Sequence, residues 1–196
     1  MATSATARVG SLHPDDWIRA AQARLAGQGV ESVRVEVLAR DLGVSKGSFY
    51  WHFRDRGELL DSLLVRWEDS ELDWLNRDDG ASAATRWARF LERTASPKRM
   101  RMEIALRAWA RGDEGVATRV AAIEKRKARL IEDVLRDIGF AETAAESWSE
   151  VALLICLGWL DLATRDKQFQ FASRSLGDLL SEFILAASGG SSAPNR

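Results

Sequence analysis

Apolar residues recur every three or four positions along almost the whole chain, with few β-branched runs and only three prolines; this spacing predicts helices throughout. The first opens at "HPDDW". Pro14 suits the first helical position, and Asp15 and Asp16 suit the positive end of the helix dipole. Ile18, Ala21 and Leu25 then share a face, and Gly27 and Gly29 end the run. A second helix covers roughly Arg34 to Leu42, with Val35, Leu38 and Ala39 inward and Gly43 as its C-terminal cap. A third starts at Ser45 as N-cap and runs to about Phe53. A fourth, from about Asp55, keeps Leu60, Leu63, Leu64, Trp67 and Trp74 in helical phase, with Glu71 the one exception. "NRDDG", ending at Gly80, breaks it and marks the clear internal boundary. Beyond it the pattern predicts helices over Ala83–Thr94, Lys98–Arg111, Glu114–Ile138, Glu142–Arg165 and Ser173–Ser188. The charged middle of the seventh, "EKRKAR", reads as a solvated outer face. The predicted fold is all-α, with about nine helices and no internal repeat.

The division follows from these elements. Residues 1–13 form a flexible N-terminus and 14–54 a three-helix domain. Residues 55–79 form a linking helix, 80–188 a second helical domain, and 189–196 a small, polar, disordered tail.

"GVSKGSFYWHF", Gly43–Phe53, interleaves rings with polar donors more densely than a core helix or a plain surface helix requires. Two short helices joined through Gly43, with a third helix before them, make a helix-turn-helix. In that geometry the N-terminal residues of the second helix meet base edges and phosphates. Those residues are Ser45, Lys46, Gly47 and Ser48. Gly47 lets the backbone come close, Lys46 reaches a base or phosphate, and Ser48 donates to phosphate. Phe49 and Phe53, four apart, pack inward and leave Tyr50, Trp51 and His52 partly free. Each of these three offers a polar hydrogen beside an apolar body, which suits a phosphate and its sugar. The same rings can also plug a helical junction.

The formal net charge is −1, so any affinity for nucleic acid has to come from a local patch. Lys46, Arg54 and Arg56 against Asp55 supply one. The apolar and charged fractions, 46% and 29%, are those of an ordinary globular chain. One cysteine, Cys156, excludes an internal disulfide and fits a reducing compartment. With only His13 and His52 beside it, no zinc site can be built from His and Cys, and no other metal or cofactor site is expected. No Gly-rich phosphate loop or nucleophile elbow appears. No catalytic residues are assigned, and an enzyme is not expected; a carboxylate-only active site is the remote exception. "MATSATARVG" lacks a signal peptide's apolar stretch, and the ten-residue run "VALLICLGWL" is too short to cross a bilayer. A cytoplasmic protein without membrane association is expected.

The run "GVSKGSFYWHFRDRGELLDSLL", Gly43–Leu64, resembles the signature of tetracycline-repressor (TetR) family transcriptional regulators. The likeness extends back through "AAQARLAGQGVESVRVEVLARDLG" to Ala20, about the first third of the chain. The resemblance implies that Lys46, Gly47 and Ser48 read bases, and that Tyr50, Trp51 and His52 hold the DNA backbone. It implies too that Arg56 grips a phosphate from the start of the fourth helix. Where the family commonly begins its second helix with a hydroxyl pair, this chain has Val33 and Arg34. Arg34 therefore replaces a hydroxyl–phosphate contact with a charged one. Glu36 stands where some relatives place a basic base-reader, so the operator sequence does not transfer.

The family architecture further implies a C-terminal domain for dimerisation and effector binding. In the eighth helix Trp148, Val151, Ala152, Ile155 and Trp159 make one apolar stripe, with Leu154, Leu157 and Leu160 on other faces. A helix apolar on more than one side is buried on more than one side. Leu176, Leu179, Leu180, Phe183 and Ile184 make a second stripe in the last helix, and the two helices with their symmetry mates give a four-helix interface. Gly158 permits close approach. Trp67, Trp87, Phe90, Met102, Leu106, Trp109 and Trp148 either line an effector pocket or fill the core. The expected protein is a homodimeric repressor, released from palindromic double-stranded operator DNA by a small apolar or aromatic effector. The alternative is a dimeric regulator with no small-molecule effector, controlled by its abundance or a protein partner.

Overall fold

The computed structural model describes residues 12–77, 79–165, 177, 178 and 180–182. Among these residues every regular element is helical: α1 Pro14–Gln28, a 3-10 turn Val30–Ser32, α2 Val35–Leu42, α3 Lys46–Phe49, α4 Arg56–Leu75, α5 Ala83–Ala95, α6 Pro97–Ala110, α7 Glu114–Asp137 and α8 Glu142–Arg165. The expected flexible N-terminus up to residue 11, most of the expected ninth helix and the tail lie outside the described residues. Compact packing divides the chain into Met1–Trp67 and Glu68–Arg196, a division that falls within α4.

Local chemistry sets the element ends. Pro14 opens α1 behind His13, whose backbone N–H donates to the Asp16 carboxylate at 2.8 Å. Gly29 (φ 80°) closes it in a conformation that L side chains rarely adopt. Gly43 does the same after α2, at φ 69°, as a left-handed cap. At the head of α4, Asp55 accepts the Glu58 N–H at 2.9 Å while Glu58 accepts the Arg54 N–H at 2.6 Å. The two carboxylates thereby satisfy helix-entry donors reciprocally. Ser82 and Asp113 accept the backbone N–H three residues on, at 3.3 and 3.1 Å, and so cap α5 and α7.

The first unit packs around Trp17, Leu25, Val33, Leu38, Phe49, Leu59 and Leu63, all fully buried. Trp17 is missing from the face read off the sequence, yet its ring meets the edge of Phe49 at 5.2 Å. In the second unit α7 packs against α5, α6 and α8, which suits a long helix apolar at Val116, Val120, Ile123, Ile131 and Val134. Its core joins Phe90, Ile131, Leu135, Phe140, Ala145, Ala152, Cys156 and Leu180.

Candidate functional site

The helix-turn-helix is held by one buried ring and one bidentate ion pair. Phe49 is fully buried and is met by three rings: Trp17 and Tyr50 edge-on, and Phe53 stacked at 5.4 Å. The Arg24 guanidinium donates through Nε and Nη2 to the two carboxylate oxygens of Asp41, both at 2.6 Å, and ties α1 to α2. That hydrogen bond holds the Asp41 carboxyl below its ordinary range.

α3 is shorter than expected. It ends at Phe49, because Tyr50 N–H and His52 N–H turn back to the carbonyls of Gly47 and Phe49, at 3.2 and 2.9 Å. These three-residue bonds tighten the backbone out of α-helical pitch. Anchoring Phe49 and Phe53 inside leaves Tyr50 54% and Trp51 88% exposed. His52 and Ser48 are half-buried, and Arg34, Ser45, Lys46 and Gly47 are exposed. Ser45 takes the N-cap position of α3, but its side chain makes no capping hydrogen bond, so its hydroxyl is not spent on the helix. A Cβ at Gly47 would meet nothing closer than the Ser45 hydroxyl at 3.6 Å. The fold therefore does not demand glycine there.

Two expected DNA contacts are already engaged within the protein. Arg56 donates from Nε to the Val33 carbonyl at 2.6 Å and from Nη2 to the Val30 carbonyl at 2.7 Å. It thus ties the start of α4 to the 3-10 turn. The Lys46 ammonium bonds the Glu36 carboxylate. This contact lowers the Glu36 carboxyl, with a small further push from the Arg34 charge, and raises the Lys46 ammonium.

The second unit contains a cavity lined by parts of α4 to α8, among them Glu71, Trp74, Phe90, Arg93, Met100, Glu103, Arg107, Lys127 and Cys156. Of the expected pocket residues Phe90 alone lines it. Trp67 is buried and lies in the first unit, and Leu106 is buried. Met102 and Trp109 are half-buried, and Trp87 and Trp148 pack beside the second core. The cavity is not simply apolar. Glu71, 4% exposed, accepts from Arg93 at 2.6 Å and Arg99 at 2.8 Å, with the Lys127 ammonium 3.6 Å away. Lys127 also bonds Glu103, and Arg107 reaches Glu103 at 3.6 Å and Glu124 at 3.0 Å. Glu124 and Lys127 of "EKRKAR" thus turn inward, against expectation, while Lys125, Arg126 and Arg129 are exposed. Arg93 lies over the Trp74 ring at 4.6 Å. Burial pushes the Cys156 thiol up to about 12, so it is a neutral wall and no nucleophile.

On α8 the inward line is Ala145, Ser149, Ala152, Cys156 and Leu160. The outward face carries Val151, Leu154, Gly158 and Leu162, with Leu154 65% exposed. Ala152 from the expected stripe is core, and Ile155 and Trp159 pack beside it. Leu180, expected at a subunit interface, is fully buried within the protomer and leaves no side-chain surface for a partner. Leu176 and Phe183 lie outside the described residues.

The family model described as "Bacterial regulatory proteins, tetR family" matches residues 18–63, the stretch from α1 into α4. Over that stretch the N-terminal unit is similar to the tetR family. The class A tetracycline repressor from transposon 1721 of Escherichia coli is 44% identical over 52 residues, 26% of this chain and 24% of that repressor. The chain thus matches about a quarter of that relative's length. A transcriptional regulator from Rhodococcus sp. Rha1 shares the fold with a TM-score of 0.71 at 21% identity, over 93% of this chain and 100% of that one. A Saccharomonospora viridis transcriptional regulator solved with choline does so at 0.68 and 17%, over 88% and 93%. The all-helical fold, a helix-turn-helix followed by a helical C-terminal unit, is thus shared with these two structures.

Proposed function

We propose that this chain is a homodimeric DNA-binding transcriptional regulator of the tetR family, a repressor released from a palindromic operator by a small molecule with an apolar or aromatic body. The observation that carries the reading is the outward display of Trp51 and Tyr50 on the same short segment as exposed Ser45 and Lys46, pinned by buried Phe49. Large exposed rings next to cations fit a phosphate backbone with its sugars. Lys46, Gly47 and Ser48 face base edges in this reading, while Tyr50, Trp51, His52 and Arg34 hold phosphates. Nη1 of Arg56 is the nitrogen left to reach one, since Nε and Nη2 serve the Val33 and Val30 carbonyls. The outward apolar face of α8 supports pairing of two copies.

An effector shifts the DNA equilibrium only by its differential affinity for the DNA-free and DNA-bound states. A coupling of about 1–3 kcal/mol is the usual scale, and operator DNA must weaken effector binding by the same factor. The test is capture of genomic fragments by purified protein, followed by titration of the recovered duplex at several salt concentrations and with a metabolite panel. Binding to a near-palindromic duplex that weakens steeply with salt is expected, because phosphate contacts release counterions. Salt-independent affinity would overturn the DNA reading. Binding that no metabolite alters would favour control by abundance or a protein partner.

A further inference from the structure

We infer that the cavity of the second unit takes a small molecule carrying a single anionic head, a carboxylate above all, on its apolar body. The inference deepens the effector reading above and rests on it.

Charge balance points that way. Among the described residues, Arg93, Arg99, Arg107 and Lys127 line the cavity with two carboxylates, Glu71 and Glu103, and Arg107 also reaches Glu124 outside the lining. Even with Glu124 counted, one positive charge is left over; Arg99 is partly solvated, but Arg93, Arg107 and Lys127 are largely buried, where an uncompensated charge is costly. The donor inventory agrees. Nε–H of Arg93 and of Arg107 are buried without an acceptor, although both side chains line the same cavity. A guanidinium offers donors and no acceptor, so these groups can be satisfied by a lone-pair-rich ligand oxygen and not by an ammonium. Desolvation, together with the Arg99 charge, lowers the Arg93 guanidinium from its ordinary value against the pull of Glu71 and Glu103. The charges of Lys127 and Arg107 act on the neighbouring Cys156 in the sense that favours an anion.

The apolar side of the same cavity is Trp74, Phe90, Leu153, Leu157 and Leu160. The free space is about 30 Å³, room for roughly two waters. A carboxylate head fits; a longer body must displace the leucine wall. Such a ligand acts as an effector only to the extent that it binds the DNA-free and DNA-bound states differently.

The test uses two bodies, each with three heads: 3-phenylpropanoate, 3-phenylpropylamine and 3-phenylpropanol, and octanoate, octylamine and octanol. Thermal shift and intrinsic tryptophan fluorescence of the full chain are read for each. At least one carboxylate should bind tenfold or more tighter than the amine and alcohol of the same body. Arg107→Gln should weaken that carboxylate at least tenfold, whereas Glu103→Gln, which removes a competing anion, should tighten it. A residue that only supports the fold would weaken binding in both variants, and circular dichroism checks that both are folded. Preference for an amine or alcohol overturns the anionic head and leaves the effector reading standing. Failure of all six probes overturns the inference and counts against the effector reading as well. Equal loss in both variants overturns the assignment of this cavity.

Discussion

Replacing Gly47 by alanine separates what the recognition segment needs for folding from what it needs for contact with DNA. An added Cβ would touch only the Ser45 hydroxyl, at 3.6 Å, an ordinary van der Waals distance. Gly47 is exposed and sits within α3. Alanine there removes freedom from the unfolded chain and is worth about 0.4–1 kcal/mol of stability. For a unit of this size that raises Tm by about 2–8 °C. In the proposed DNA-bound state the same methyl stands where a base edge or phosphate approaches the backbone. Losing one base contact costs about 1–3 kcal/mol, and a dimer has two such sites, so operator affinity should fall at least roughly 30-fold. Thermal melts followed by circular dichroism give the first number. Fluorescence anisotropy of the recovered operator duplex, at fixed salt, gives the second. A Gly47→Ala protein that binds operator within threefold of wild type refutes the close-approach argument. One that is less stable than wild type refutes the reading of the local geometry.

Arg56→Ala should cost about 1–3 kcal/mol in urea unfolding, since two carbonyls lose charge-assisted hydrogen bonds; an unchanged midpoint would leave Arg56 with a DNA role alone. Glu36→Gln should free Lys46 and tighten operator binding at low salt, with the difference fading as salt rises, measured by the same anisotropy assay. Asp41→Asn should lower Tm at pH 7. Because Arg24 depresses the folded carboxyl of Asp41, that stabilisation is present above the ordinary carboxylate range and is lost as pH falls through the folded value. The gap to wild type should therefore close below about pH 4. Leu154→Glu and Gly158→Arg should turn a dimer into folded monomers in light scattering, since Leu154 is exposed and a Cβ at Gly158 meets nothing within 4 Å.

Helix positions and the end signals at Pro14, Gly29 and Gly43 were legible from the sequence because they depend on neighbours within four residues. The inward face of α2 followed from period alone. What depended on partners far along the chain did not. Glu71 stood out as a charge in an apolar phase, but nothing local indicates that α5, α6 and α7 each bring it a cation. Lys127 looked solvated for the same reason, since its carboxylates lie on other helices. On α8, apolar residues surround the helix, so the period could not say which line faces α7. Leu154, set aside in the pattern, is the most exposed leucine there. The early end of α3 was hidden because Phe49 and Phe53 keep helical spacing across a segment whose backbone has already tightened.

The state of Cys156 has a practical consequence. It is the one cysteine of the chain, it is buried, and its thiol is pushed up to about 12. Near neutral pH almost none of it is thiolate, the form that reacts with maleimides and iodoacetamides. For reporter chemistry the wild-type chain already behaves as if it had no cysteine. A single thiol introduced at an exposed position such as Arg40 would carry a spin label or dye without stripping out the native residue. In the proposed dimer, two such labels would turn the separation of the paired recognition segments into a ruler readable in solution, with and without operator.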